Sequence, residues 1–489
     1  MMKKKLLSGL FWVLLLNLLI KPFWLLGIEV GVQNAVGAEQ YGFYFAIFNL
    51  AYIFNILLDM GVTNFNTRNI AQYPQLIDKH LSGILCIKLM LLGLFVLVTF
   101  SVGLLLGYDS RQFGLLAWLC LNQFLNSLIL YLRSNFEGLL MFKADSVLSI
   151  MDRVLMIVIC GGLLLWHHND FAIEWFVYAQ TAGYAVTTLV ALTILWRKTG
   201  WHRLHWSRPF TLAILKKSAP FALLVLLMAS YNRIDPVLIE RLLPNDTGNF
   251  QAGIYAGAFR LLDALTMIAY LVSVPLLPIY ARLTAKKEPS SAETGELRDI
   301  TRMVFALMMV FAVSAAVTCS FMSEPLMALL YNEHTAESAR VFRILIYGII
   351  PIATTYVFGT LLTANGSLRQ LNLLAAIALV ANIGVNLLLI PRMQAYGSAW
   401  ASITAQSFMA AAQIVVALRI FHITPSGGYV VRLIAFVATV VGANIACPWL
   451  MQGISWWVQT IVIVSIAITS SFALRLINLK EIRNILQNE

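Results

Sequence analysis

Glu29–Phe48, EVGVQNAVGAEQYGFYFAIF, returns 211 residues later as Glu240–Phe259, ERLLPNDTGNFQAGIYAGAF. Glu29 pairs with Glu240, Asn34 with Asn245, Gly37 with Gly248 and Gln40 with Gln251. Gly42 then pairs with Gly253, Tyr44 with Tyr255 and Phe48 with Phe259, while upstream Lys5 pairs with Lys216. Six of these matches fall in one fifteen-residue window, where chance gives about one. A fixed offset of this kind marks a duplicated unit. The unit holds six apolar spans, an even number, so both copies share one orientation. Their axis then lies along the membrane normal. Gly42 and Gly253 each have a small residue four positions on, Ala46 and Gly257. Small-xxx-small spacing predicts close helix contacts at both.

The 489 residues are 60% hydrophobic and 12% charged, outside the range of soluble domains. A membrane-crossing helix needs roughly 20 apolar residues, and the chain reads as about fourteen of them. They fall at 7–28, 41–64, 82–106, 113–133, 146–166, 174–196, 211–232, 252–279, 301–322, 341–363, 370–390, 395–418, 430–449 and 454–474. All should be helical, because lipid leaves backbone groups no other partner. The expected fold is therefore an all-α polytopic membrane protein with two six-helix lobes in parallel repeat plus two extra C-terminal helices. The lobes take residues 1–200 (spans 1–6) and 201–420 (spans 7–12), and residues 421–489 hold the two additional spans and a tail. Lys3-Lys4-Lys5, an apolar run and Ala35-Val36-Gly37-Ala38 imitate a cleaved signal. Lys21-Pro22 interrupts that run and the repeat uses the segment, so it reads as a retained first span.

Lysine and arginine alternate between the gaps. Arg68 and Lys79, Arg133 and Lys143, and the run Arg197, Lys198, Arg203, Arg208, Lys216, Lys217 occupy every second one. The gaps Gln33–Gln40, His167–Glu174 and Pro448–Ser455 hold no basic residue. Basic short loops stay cytoplasmic, which places both termini in the cytoplasm. The net charge of +11 is this loop bias, so nucleic acid is not an expected partner.

Charged residues inside spans are the candidate site, because a mid-helix Lys or Arg costs roughly 2.5–3.5 kcal/mol unless it faces a cavity or partner. Lys21 lies on the first span and Pro22 should kink the helix there. Arg260 lies near the midplane of span eight, with Asp263 on the same face three residues on. Lys88 and Arg153 sit about 6–10 Å from the cytoplasmic ends of their spans, close enough to snorkel. If they face inward, they ring a vestibule. Asp59 and Asp235 are the acidic candidates for a coupling cation, Na+ or H+, and a solvated helix-end carboxylate is the competing reading. No P-loop, paired-histidine metal motif or Gly-x-Ser-x-Gly occurs. The five cysteines, Cys86, Cys120, Cys160, Cys319 and Cys447, lie scattered in apolar spans without metal or redox spacing. Neither an enzyme, a metal site nor a bound cofactor is expected.

Tyr41-Gly42-Phe43-Tyr44-Phe45-Ala46-Ile47-Phe48-Asn49-Leu50, continuing through Leu58-Asp59-Met60-Gly61 to Asn66-Thr67-Arg68-Asn69-Ile70-Ala71, resembles the opening of bacterial polysaccharide-biosynthesis flippases. These O-antigen and capsule translocases belong to the multidrug/oligosaccharidyl-lipid/polysaccharide exporter superfamily. Span eight, with Tyr255, Arg260 and Pro275-Leu276-Leu277-Pro278, is similar to that of the lipid II flippase. The resemblance implies that Arg260, and Lys21 by span and charge type alone, meet a lipid pyrophosphate. It also implies a substrate, an oligosaccharide on polyprenyl pyrophosphate, flipped by alternating access from the inner to the outer leaflet of the bacterial cytoplasmic membrane for polysaccharide or lipopolysaccharide assembly. Membrane lipids and polysaccharide assembly proteins would be its partners. A drug/cation antiporter of the same superfamily and a membrane polysaccharide polymerase or glycosyltransferase are the rival readings.

Overall fold

The structure, a computed structural model, describes residues 19–72, 77–139, 141–167, 170–199, 208–244, 246–284, 291–421 and 427–477. Both termini, whose cytoplasmic placement the charge pattern predicts, lie outside the described residues, as does Asn245 of the repeat. Every regular element among the described residues is helical. Among the described residues, eleven helices are long and apolar enough to cross a membrane, or up to twelve if the bent pair Ser218–Arg233 and Asp235–Leu242, inclined by 49°, is one span. The chain is a polytopic membrane protein. It divides into two compact units, Met1–Ala256 and Gly257–Glu489, with the boundary inside one helix, Asp246–Ser273.

The described part of the first unit opens helically at 19–23 and passes into a π turn, Trp24–Ile28, two residues after Pro22. Helix α1 (Glu29–Ile53) and a 3₁₀ turn (Phe54–Leu58) follow. Then come α2 (Val62–Gln72), α3 (Ile77–Leu105), α4 (Ser110–Gly138), α5 (Phe142–Trp166) and α6 (Ile173–Thr199), followed by α7 (Arg208–Arg233), α8 (Asp235–Leu242) and the start of α9 (Asp246–Ser273). Helix α4 packs on α1, α2, α5 and α6, and α1 lies on α7 and α8. The first gap, expected between 33 and 40, is helical on both sides of a single break at Gly37, where φ is 80° and ψ is 166°. Only glycine takes that conformation freely. The second expected span, 41–64, turns earlier, at Asp59-Met60-Gly61, where Met60 and Gly61 have φ of 42° and 80°.

The repeat explains why α9 starts in this unit. A Cβ on Gly42 would lie 1.8 Å from the Asn249 carbonyl oxygen, and one on Gly253 would lie 1.9 Å from that of Ala38. Ala38 and Asn249 stand at the same 211-residue offset, so the contact is reciprocal: each copy's glycine lies on the other copy's backbone. The Gln33 side chain also donates to the Gly253 carbonyl at 3.0 Å. Gly42→Ala must push the two helices apart and is expected to destabilise the protein by about 1–3 kcal/mol, read as a lower melting temperature in detergent. Unchanged melting would refute the contact.

The second unit holds the rest of α9, then α10 (Leu276–Leu283), α11 (Ser291–Phe321), α12 (Ser323–Leu330), α13 (Thr335–Leu345), α14 (Ile349–Ala364) and α15 (Leu368–Phe421), and ends with α16 (Gly427–Leu450) and α17 (Trp456–Ala473). The 54-residue α15 is broken at Gln394, φ 54°, three positions after Pro391. That break falls inside the gap expected between 390 and 395. The expected loop over 323–340 instead contains α12 and the start of α13. The C-terminal pair packs on α11 through Val310, Val313 and Val317 against Phe436, Val440 and Ala467.

Candidate functional site

Charge in the first unit gathers around the π turn. Lys21, partly buried, stands within Coulomb range of Arg153, Arg133 and Asp152. The Arg153 guanidinium lies 5.5 Å from the Trp24 ring and 5.8 Å from the Tyr184 ring. Asp152 is 3.6 Å from it, and Glu29 is also within its electrostatic reach. Arg133 is held by the Asp145 carboxylate through Nε at 2.7 Å and Nη2 at 3.2 Å. Trp24 is fixed twice: its ring stacks on Phe176 at 5.7 Å, and its indole N–H donates to Glu29 Oε1 at 2.7 Å. The structure thus brings Lys21 and Arg153 into one cluster, with cation–π contacts available on two aromatic faces. Glu29, Arg133, Trp24 and Tyr184 are not among the site residues that the sequence indicates. Glu29 carries a repeat match with Glu240, which was the available signal.

Lys88 and Asp59 meet each other. The Lys88 ammonium, 0% exposed, lies 2.6 Å from Asp59 Oδ1 and donates to Ser127 Oγ at 2.9 Å. Asp59 also accepts from the backbone N–H groups of Gly61 at 3.1 Å and Thr63 at 3.3 Å and from the Thr63 hydroxyl. Its carboxylate therefore closes the turn at Met60-Gly61 and caps α2. Asp235, fully buried, accepts from the Tyr255 hydroxyl at 2.8 Å.

A second polar network joins α8 to the first turn of α4 and to Tyr108 just before it. Gln112 donates to Glu240 Oε1 at 2.8 Å and accepts from Arg241 Nη2 at 2.7 Å. The Arg241 guanidinium sits 4.5 Å from the Tyr108 ring. Burial and the Glu240 charge raise the Tyr108 phenol above its ordinary pKa.

In the second unit Arg260, 3% exposed, donates through Nη1 to the Tyr331 hydroxyl at 2.6 Å. That hydroxyl donates onward to the Gly257 carbonyl at 3.3 Å. Tyr331 follows α12 within a stretch read from the sequence as loop, which concealed it. Asp263 lies one turn along α9, where its backbone carbonyl accepts from the Thr266 hydroxyl at 2.8 Å.

This helical architecture is shared with transporters. The lipid II flippase MurJ in an inward closed conformation matches with a TM-score of 0.67 at 12% identity, over 96% of this chain and 98% of that one. A multidrug resistance MATE family transporter of the MOP superfamily, inward-facing, matches with a TM-score of 0.61 at 14% identity, over 81% and 94%. The Vibrio cholerae MATE transporter VcmN in its bent form matches with a TM-score of 0.52 at 15% identity, over 86% and 97%. Identities this low show the fold alone. No curated protein sequence matches the chain. The polysaccharide biosynthesis protein family matches residues 6–284, and the chain belongs to it.

Proposed function

We propose that this protein flips a polyprenyl-pyrophosphate-linked oligosaccharide from the inner to the outer leaflet of a bacterial cytoplasmic membrane, by alternating access. The observation that carries the reading is the Lys21–Arg153 cluster of the first unit. A pyrophosphate is a compact anion that charge-assisted hydrogen bonds recognise strongly in a low-dielectric site. Within the second unit, Arg260 is proposed as an anion-binding residue in its own right. Membership of the polysaccharide biosynthesis family favours a glycan cargo. Both termini are proposed to be cytoplasmic, and assembly proteins of the polysaccharide to be partners. Fourteen spans are proposed: the breaks at Gly37 and Gln394 each divide one long apolar helix in two. Residues 1–200 and 201–420 are proposed as the repeated lobes, with 421–489 added to them. Asp235, buried against Tyr255, is the acidic group best placed for a coupling cation.

Reconstitution tests the reading. Purified protein in vesicles carrying a lipid-linked oligosaccharide in one leaflet should expose the glycan to a membrane-impermeant glycosidase in the other. Export of a cationic dye without glycan translocation would instead support a drug/cation antiporter.

A further inference from the structure

We infer that Glu29 and Trp24 form a clasp across the π turn that positions Lys21 and Arg153 toward an anionic phosphate headgroup. The inference rests on the proposed substrate. Glu29 is five residues after Trp24. On an α-helix, side chains three or four apart are neighbours, while five residues turn through about 500° and end on different faces. A π turn, with its i→i+5 repeat, brings such a pair together. Trp24–Ile28 is the π turn, and the 2.7 Å bond from the Trp24 indole N–H to Glu29 Oε1 spans it.

The clasp is anchored on several sides. The Tyr41 hydroxyl donates to Glu29 Oε2 at 3.3 Å. Phe176 stacks on the indole with the rings 8° from parallel. Trp24 is 4% exposed, so its ring is a structural wall with no free face for a sugar. Arg153 lies against that wall at 5.5 Å. Lys21 precedes Trp24 by three residues on the same helical segment. Returning the π turn to α geometry would rotate Lys21 by about one residue step, roughly 100°, relative to Arg153. The same change would separate Glu29 from Trp24.

A plain charge effect and a positioning effect have opposite signs here. Glu29 is an anion beside a cationic cluster, so by charge alone Glu29→Gln should tighten the binding of an anion. If Glu29 positions the cations, Glu29→Gln should weaken it. Trp24→Phe keeps an aromatic ring and changes no charge, but removes the indole donor together with part of the ring that Phe176 and Arg153 contact.

The experiment measures calorimetric binding of geranylgeranyl diphosphate to the full-length protein in detergent, with melting temperature and monodispersity recorded for every variant. The expected result is binding about tenfold weaker in each single variant, the size of one hydrogen bond to a charged group. The double variant should be no weaker than either single. Glu29→Gln or Trp24→Phe that binds as tightly as wild type, or more tightly, overturns the clasp. Loss of monodispersity in both variants would make the pair a packing element and also overturn it. Wild-type protein that binds no diphosphate overturns the substrate reading itself, and the clasp with it.

Discussion

Lys88→Met is expected to lower stability by about 3–5 kcal/mol, the size of the effect when one partner of a buried ion pair is removed. The lost ammonium is fully buried and its partner Asp59 is only 24% exposed, so the carboxylate loses its counter-charge with little water to replace Lys88. Asp59→Asn should act as strongly, because it strands the buried ammonium and weakens the cap on Gly61 and Thr63. The double variant Asp59→Asn with Lys88→Met leaves no unbalanced charge and should recover much of the loss. Melting temperature in detergent and abundance in membranes read all three. A Lys88→Met protein of normal stability that fails only in translocation would place Lys88 at the substrate.

Arg260→Ala is expected to reduce glycan translocation about a hundredfold, at the upper range for hydrogen bonds to charged groups, while the protein still inserts and accumulates. Arg260→Lys should retain part of the rate, since charge survives but the bidentate fork is lost. Tyr331→Phe removes the hydroxyl to which Arg260 donates and should fall between the two. The competing role is local pairing with Asp263. In that case Arg260→Ala lowers abundance, and adding Asp263→Ala restores translocation. Restoration in the double variant would remove Arg260 from the substrate-binding residues and leave the Lys21–Arg153 cluster to carry the reading.

The helical membrane fold was legible because apolar length is a local property of the chain. The close contacts at Gly42 and Gly253 were legible through the repeat and small-xxx-small spacing, although nothing in that spacing revealed that they meet each other. The proline after Lys21 pointed to a disturbance of the helix, and a π turn follows it. The Trp24–Glu29 bond was not visible, because the helical periodicity used in reading sequence assumes 3.6 residues per turn. Lys88 lies on α3 and Asp59, 29 residues earlier, in the turn before α2, and hydropathy carries no information on such pairings. Arg260 was read with Asp263, its neighbour on the helix face. Tyr331, 71 residues away, could be found only in three dimensions.

The reciprocal seating of Gly42 and Gly253 has a consequence for the history of the chain. The 211-residue repeat is faint over most of its length, so most of its paired positions differ. These two positions were not free. A side chain gained in either half collides with the other half's main chain, so no compensating change of side chain can absorb it. A change at either glycine is therefore felt by both segments, and both positions hold glycine at the 211-residue offset. The same coupling warns against engineering chimaeras: a half taken from a relative must bring its own glycine in register with the one it meets.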